Sequence, residues 1–111
     1  MNIKLKLAVC LMILLMTILG LALYTFIIRV EAGVAATKIG DGKTAVEILT
    51  PAAYLGSKIS QTLLAYIYAC EYSGIPYNAE LAVYWFNRSA VPPIDSLSKE
   101  NIQARVGCQL N

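Results

Sequence analysis

From Leu7 to Ile28 the chain carries 22 consecutive residues without a charge, apolar on every side rather than along one stripe. At 1.5 Å per residue, a helix of that length roughly matches the hydrocarbon core of a bilayer. The run therefore predicts a transmembrane anchor within residues 1–30, with Lys4 and Lys6 before it and Arg29 and Glu31 after it. A helix apolar all round belongs in a membrane or a large core, and the rest of this chain is too short to enclose one. The rival reading is a cleaved signal peptide, for which Val34-Ala35-Ala36 is a passable small-residue site. Signal peptides usually carry shorter apolar cores of about 7 to 15 residues, which favours the anchor. Residues 31–40 are small and polar enough to be a juxtamembrane linker.

Beyond residue 40 the periodicity changes to that of amphipathic helices. In a first arm from about Lys58 to Tyr72, Ile59, Leu63, Tyr66 or Ile67, and Cys70 recur at spacings of three and four, which predicts a buried stripe on one helical face. Gly74-Ile75-Pro76 marks a turn, and Asn78 is the expected N-cap of a second arm. Along that arm Ala82, Trp85, Phe86, Ser89 and Ala90 share one face, so that bulky side chains of one arm can sit against small ones of the other. The expected fold class is all-α: an N-terminal transmembrane helix followed by a short antiparallel helical hairpin of the repeat type.

The hairpin has an internal echo. Asp41, Ala45, Ile48, Leu49, Ala52 and Ala53 precede Asn78, Ala82, Trp85, Phe86, Ser89 and Ala90 by a constant 37 residues, and a fixed period in this range is the signature of stacked helical repeats. Asp41 is the matching cap, and Pro51 is expected to bend or shorten the first copy near Glu47. Gly40-Asp41-Gly42-Lys43-Thr44 ends like a phosphate-binding loop. It lacks the first glycine, at Thr37, and the strand that loop requires. The same offset fails beyond Ala90, where Val91-Pro92-Pro93 breaks the chain. A last helix from Lys99 to about Val106, with Ser98 as cap and Gly107 as stop, reads as a terminal lid within a capping segment 92–111.

Several strings together carry a resemblance: Leu49-Thr50-Pro51-Ala52-Ala53 with Gly56, Gln61 with Leu64-Ala65 and Tyr68, Gly74-Ile75-Pro76 with Asn78, and Ala82-Val83 with Trp85-Phe86 and Ser89-Ala90. This pattern resembles the Sel-one-like repeat family, relatives of tetratricopeptide repeats, over residues 41–91. The resemblance implies a repeat core of Leu64, Tyr68, Ala82, Trp85 and Phe86 and a non-enzymatic scaffold that binds proteins. Ala65 stands where the family usually has Gly, and the first turn Gly is replaced within Cys70-Glu71-Tyr72. Some envelope immunity proteins that neutralise type VI lipase toxins also resemble this family, which gives the alternative function.

Composition and charge narrow the partners. At 58% hydrophobic and 14% charged residues, the excess apolar content is located in the anchor. Six basic residues follow position 30 against all seven acids, so the folded part offers no basic surface for nucleic acid. There is no histidine, the commonest general base and metal ligand, and Glu47, Glu71 and Glu80 are too scattered for a carboxylate pair. No catalytic residue, cofactor, metal or small-molecule substrate is expected. The sequon-like Asn87-Arg88-Ser89 is read as chance. Six of the seven tyrosines lie after residue 50, and Tyr72, Tyr77 and Tyr84 are the expected protein-binding residues, since tyrosine combines area with a polar tip.

The basic head before the anchor places the C-terminal part outside, in a bacterial periplasm or equivalent, single-pass from the inner membrane. Cleavage would instead release it. In an exported domain Cys70 and Cys108 can pair or stay as two free thiols, while Cys10 falls in the membrane run. The expectation is a membrane-held adaptor or assembly scaffold in the envelope with a protein partner of unknown identity.

Overall fold

The computed structural model of the protein describes residues 2–89 and 92–108. Among these residues five α-helices follow one another: α1 (Ile3–Lys38), α2 (Gly42–Tyr54), α3 (Lys58–Ala69), α4 (Ala79–Ser89) and α5 (Lys99–Val106), with a 3-10 turn at Tyr72–Gly74 between α3 and α4. The fold is all-α, and its extents of 69 × 30 × 16 Å reflect one long rod with a small bundle at its end.

The rod is α1, about 54 Å long at 1.5 Å per residue. It is long and apolar enough to cross a membrane, and none of its apolar window is covered by the rest of the chain. Residues 31–38, expected as a linker, instead complete this helix without a break. The reason lies in the side chains of its last turns. Gly33, Ala36 and Thr37 are buried, and such small groups on one face let α2 lie close. A Cβ added to Gly33 would stand 2.5 Å from Leu49 Cδ2 and 2.7 Å from Leu49 Cγ. A helix packed along its side is held as helix. The Thr37 hydroxyl donates to Gly33 O (2.9 Å), and beyond the helix end the Asp41 amide donates to Ala36 O (2.9 Å).

Offset partners take up matching positions in α2 and α4. Asp41 Oδ1 accepts from the Thr44 amide (3.2 Å) and Asn78 Oδ1 from the Leu81 amide (3.0 Å), each satisfying a free first-turn donor. Ala45 and Ala82, one turn in, are both fully buried. Leu49, Ala52, Ala53 and Trp85 are also buried, whereas Ile48, Phe86 and Ser89 are half-buried and Ala90 lies outside the described residues. Pro51 does not shorten α2, which continues to Tyr54. Its ring is exposed, and the Glu47 carbonyl goes without the helical donor that proline lacks.

Of the expected stripe on α3 only Ile67, the alternative to Tyr66, is fully buried. Ile59 is 60% exposed, and Leu63, Tyr66 and Cys70 are half-buried. The enclosed residues are Ser60, Gln61, Leu64, Ala65, Ile67 and Ala69. The cause is that α3 is the central helix, in contact with α1, α2, α4 and α5, so its core face points between α2 and α4 while the Ile59–Leu63–Tyr66 row faces α1. The first arm also ends at Ala69 rather than Tyr72. Glu71 and Ser73 adopt left-handed backbone, φ 53° and 56°, a conformation that costs a non-glycine residue about 1–2 kcal/mol. Contacts on both sides hold the turn. The Ser73 hydroxyl donates to Gly40 O and accepts from the Gly42 amide (3.1 Å), and Cys70 is joined to Cys108 with Cα atoms 5.5 Å apart.

Leu64, Ala65, Ile67 and Trp85 fill the main core with the α2 residues. Ala69, Ala82, Ile94 and Ile102 form a second cluster beneath α5. Ser98 precedes α5 in extended conformation without a side-chain cap bond, and Gly107 (φ 89°) ends the helix in the left-handed region. The disulfide, the Gln103 side-chain Nε2 donating to Ala69 O (2.9 Å) and buried Ile102 fasten α5 against α3.

Candidate interaction surface

Helix directions decide which side chains share an end of the bundle. Lys58 Nζ donates to Arg88 O (2.5 Å), while the Asn78 amide donates to Tyr68 O (3.0 Å), so α3 and α4 are antiparallel. Ser57 and Ile59, at the start of α3, lie beside Phe26, Ile27 and Val30 of α1. Leu63 and Tyr66, further along, lie beside Val34 and Thr37. Helices α1 and α3 thus run the same way, away from the apolar rod, and α2 and α4 return towards it.

The three expected binding tyrosines are not brought together. Tyr72 sits at the end remote from the rod, half-buried, with its hydroxyl donating to Thr37 O (2.6 Å) and its ring 5.8 Å from that of Tyr66. Its polar tip is spent inside the molecule, fastening the turn to the end of α1. Tyr77 is half-buried beneath Lys99 Nζ, 4.7 Å from its ring centre, and its hydroxyl is enclosed without a hydrogen-bond partner among the described residues. Tyr84 alone opens to solvent, at 37% exposure.

Around Tyr84 the structure assembles a group that periodicity did not reveal. Tyr54 stacks edge-on to Trp85 at 4.8 Å and lies 6.4 Å from Tyr84; Tyr84 and Trp85 also meet edge-on at 4.8 Å. Arg88 lays its guanidinium 4.3 Å over the Tyr84 ring, a cation–π contact. Trp85 is 2% exposed whereas Tyr54 is 60% exposed and the adjoining Leu55 is 76% exposed. The only sequence signal was the helix end itself: Tyr54 and Leu55 close α2 while Arg88 closes α4, and only the shared direction of α2 and α4, each antiparallel to α3, puts them side by side.

The second feature is an apolar groove between α1 and α3. Its part remote from the rod, about 370 Å³, is lined by Val34, Thr37, Lys38, Leu63, Tyr66 and Tyr72, and it continues past Ile59 to Phe26 and Ile27. The row expected to be core on α3 is therefore its open wall.

Of the remaining expected residues, Leu64 and Ala82 are fully buried, and Tyr68 and Phe86 are half-buried at the junction of the two clusters. Burial pushes the Tyr68 phenol up, with a smaller contribution from Tyr54. Asp41 is held below the ordinary carboxylate range, chiefly by the Thr44 hydroxyl and then by the Thr44 amide. Asn87 of the sequon-like triplet is engaged on both sides, accepting from the Ile94 amide (2.6 Å) and donating to Ile94 O (3.1 Å). Among the described residues no three His, Cys, Asp or Glu side chains converge in a way that could hold a metal ion. Cys10 is a free, exposed thiol on the rod. No family model, curated protein or solved structure matches the chain.

Proposed function

We propose that the chain is a single-pass membrane protein whose bundle, on the periplasmic side, is a non-enzymatic protein-binding scaffold of Sel-one-like type. The observation that carries this reading is that one helix serves both parts: α1 passes unbroken from its bare apolar stretch into the packed bundle. Cleavage after Ala36 would remove Gly33 and Ala36 from their places against α2 and leave Leu49 uncovered, which supports an uncleaved anchor. The Cys70–Cys108 pair is in keeping with an oxidising compartment. The open α1–α3 groove, apolar with tyrosine at its rim, suits an apolar helical or extended segment of another protein.

A photoreactive residue at Leu63, in the groove, tests the reading in native membranes, with one at Leu15 on the rod as reference. The expected result is a discrete protein adduct at Leu63 that is absent at Leu15. Lipid adducts alone at both positions would refute the scaffold role, and a mature chain beginning after Ala36 would refute the anchor.

A further inference from the structure

We infer that the rod-side end of the bundle is itself a membrane-docking face, seated in the headgroup layer of the same bilayer that α1 crosses. The inference rests on reading α1 as a span. If Leu7–Ile28 fills the hydrocarbon core, Phe26 and Ile27 stand at its boundary, because 22 residues rise about 33 Å against a core of about 30 Å. Ser57 and Ile59 line the same recess as Phe26 and Ile27, so the start of α3 is at that depth too. The turn joining it to α2 carries Tyr54 and Leu55, both largely exposed.

The chemistry of this end matches an interface and not open water. Ile59 and Leu55 are exposed aliphatic groups, Tyr54 and Tyr84 are amphipathic rings, and Lys58 and Arg88 are cations beside them. Aromatic and basic residues of this kind concentrate where a membrane meets water, and Lys and Arg can keep their charge among phosphates while their stems cover apolar surface. Arg29 stands at the same level of α1, with Glu31 beside it. Arg88 and Lys58 would meet anionic headgroups, Leu55 and Ile59 the outer acyl region. Ile39, equally bare at 81% exposure, lies at the opposite end.

The test places a nitroxide on the full chain, one site at a time, at Leu55→Cys, Ile39→Cys and Leu15→Cys. Each is made in a Cys10→Ser background with the Cys70–Cys108 bond intact, and all three sites are exposed. Chains are reconstituted in vesicles of phosphatidylcholine, alone or mixed with phosphatidylglycerol, and probed with oxygen and a water-soluble nickel chelate. Docking predicts an oxygen-to-nickel accessibility ratio at Leu55 several-fold above that at Ile39, approaching that at Leu15, and rising when phosphatidylglycerol is added. A Leu55 label as open to nickel as Ile39, with Leu15 in lipid, overturns docking and leaves the span standing. Leu15 in water overturns both. A Leu55 label shielded from both probes would mean that a second copy or another protein covers it, which also overturns the inference, and no response to lipid charge removes the role of Lys58 and Arg88.

Discussion

Gly33→Ala adds one methyl group where α1 crosses α2, and the sign of its effect depends on whether that crossing exists. In an unpacked helix the change would stabilise by about 0.5–1 kcal/mol, since alanine loses less backbone freedom than glycine. In the packed structure the new Cβ would lie 2.5 Å from Leu49 Cδ2, 2.7 Å from Leu49 Cγ and 3.2 Å from Ile48 Cγ2. Leu49 is fully buried and has little room to retreat, so about 1–3 kcal/mol of overpacking is expected. Subtracting the propensity gain leaves a net loss of about 1 kcal/mol, within a range of roughly 0 to 2.5. For a folded unit of this size a loss of about 1 kcal/mol lowers Tm by roughly 4–8 °C. Trp85 is the single tryptophan and lies in the core, so its fluorescence during heating of the full chain in detergent reports bundle unfolding without the signal of the rod. Gly20→Ala is the control, because nothing lies within 4 Å of the methyl it adds. Adding Leu49→Ala to Gly33→Ala should cost less than the two changes summed, since the methyl enters vacated space. A Gly33→Ala protein melting at or above the parent temperature would refute the packing of α1 into the bundle.

Trp85→Ala should lose about 3–5 kcal/mol and abolish a cooperative melt followed by near-ultraviolet circular dichroism; a retained sharp transition would contradict its place in the core. Opening the Cys70–Cys108 bond, which spans 38 residues, should cost about 4 kcal/mol in the chain-entropy model, read as a reductant-dependent gel shift together with a lower Tm. Asp41 has its folded pKa depressed, so its contribution is present above its unfolded pKa and is lost as pH falls through the lower folded value. Asp41→Asn should flatten that acid limb of the stability curve in a pH series of melts, and an unchanged limb would show that other carboxylates govern it.

The apolar rod was legible because 22 uncharged residues leave few alternatives, and the caps at Asp41 and Asn78 were legible because they act within one helical turn. The continuation of α1 through residue 38 was not. Ala32, Gly33, Ala35 and Ala36 read as a weak, flexible stretch until Leu49 lies against Gly33 and Ala36, and the contact with Gly33 joins positions 16 residues apart. The α3 face was misassigned by the same limit. Spacing finds an apolar row such as Ile59–Leu63–Tyr66, but not which of two apolar rows meets the central core. Tyrosine count drew attention to Tyr72, whose hydroxyl the backbone of Thr37 takes, while Tyr54 and Arg88 acquire a shared setting only when α2 and α4 end side by side.

Because α1 leaves the apolar stretch as unbroken helix, the bundle has no swivel, and if that stretch spans a bilayer the bundle's heading follows the slant of the span. The ten residues from Arg29 to Lys38 form an arm of about 15 Å. A change of slant of about 20°, within the range that bilayers of different thickness impose, would carry the far tip sideways by roughly 5 Å. In a span, lipid thickness would thereby bias where the groove points.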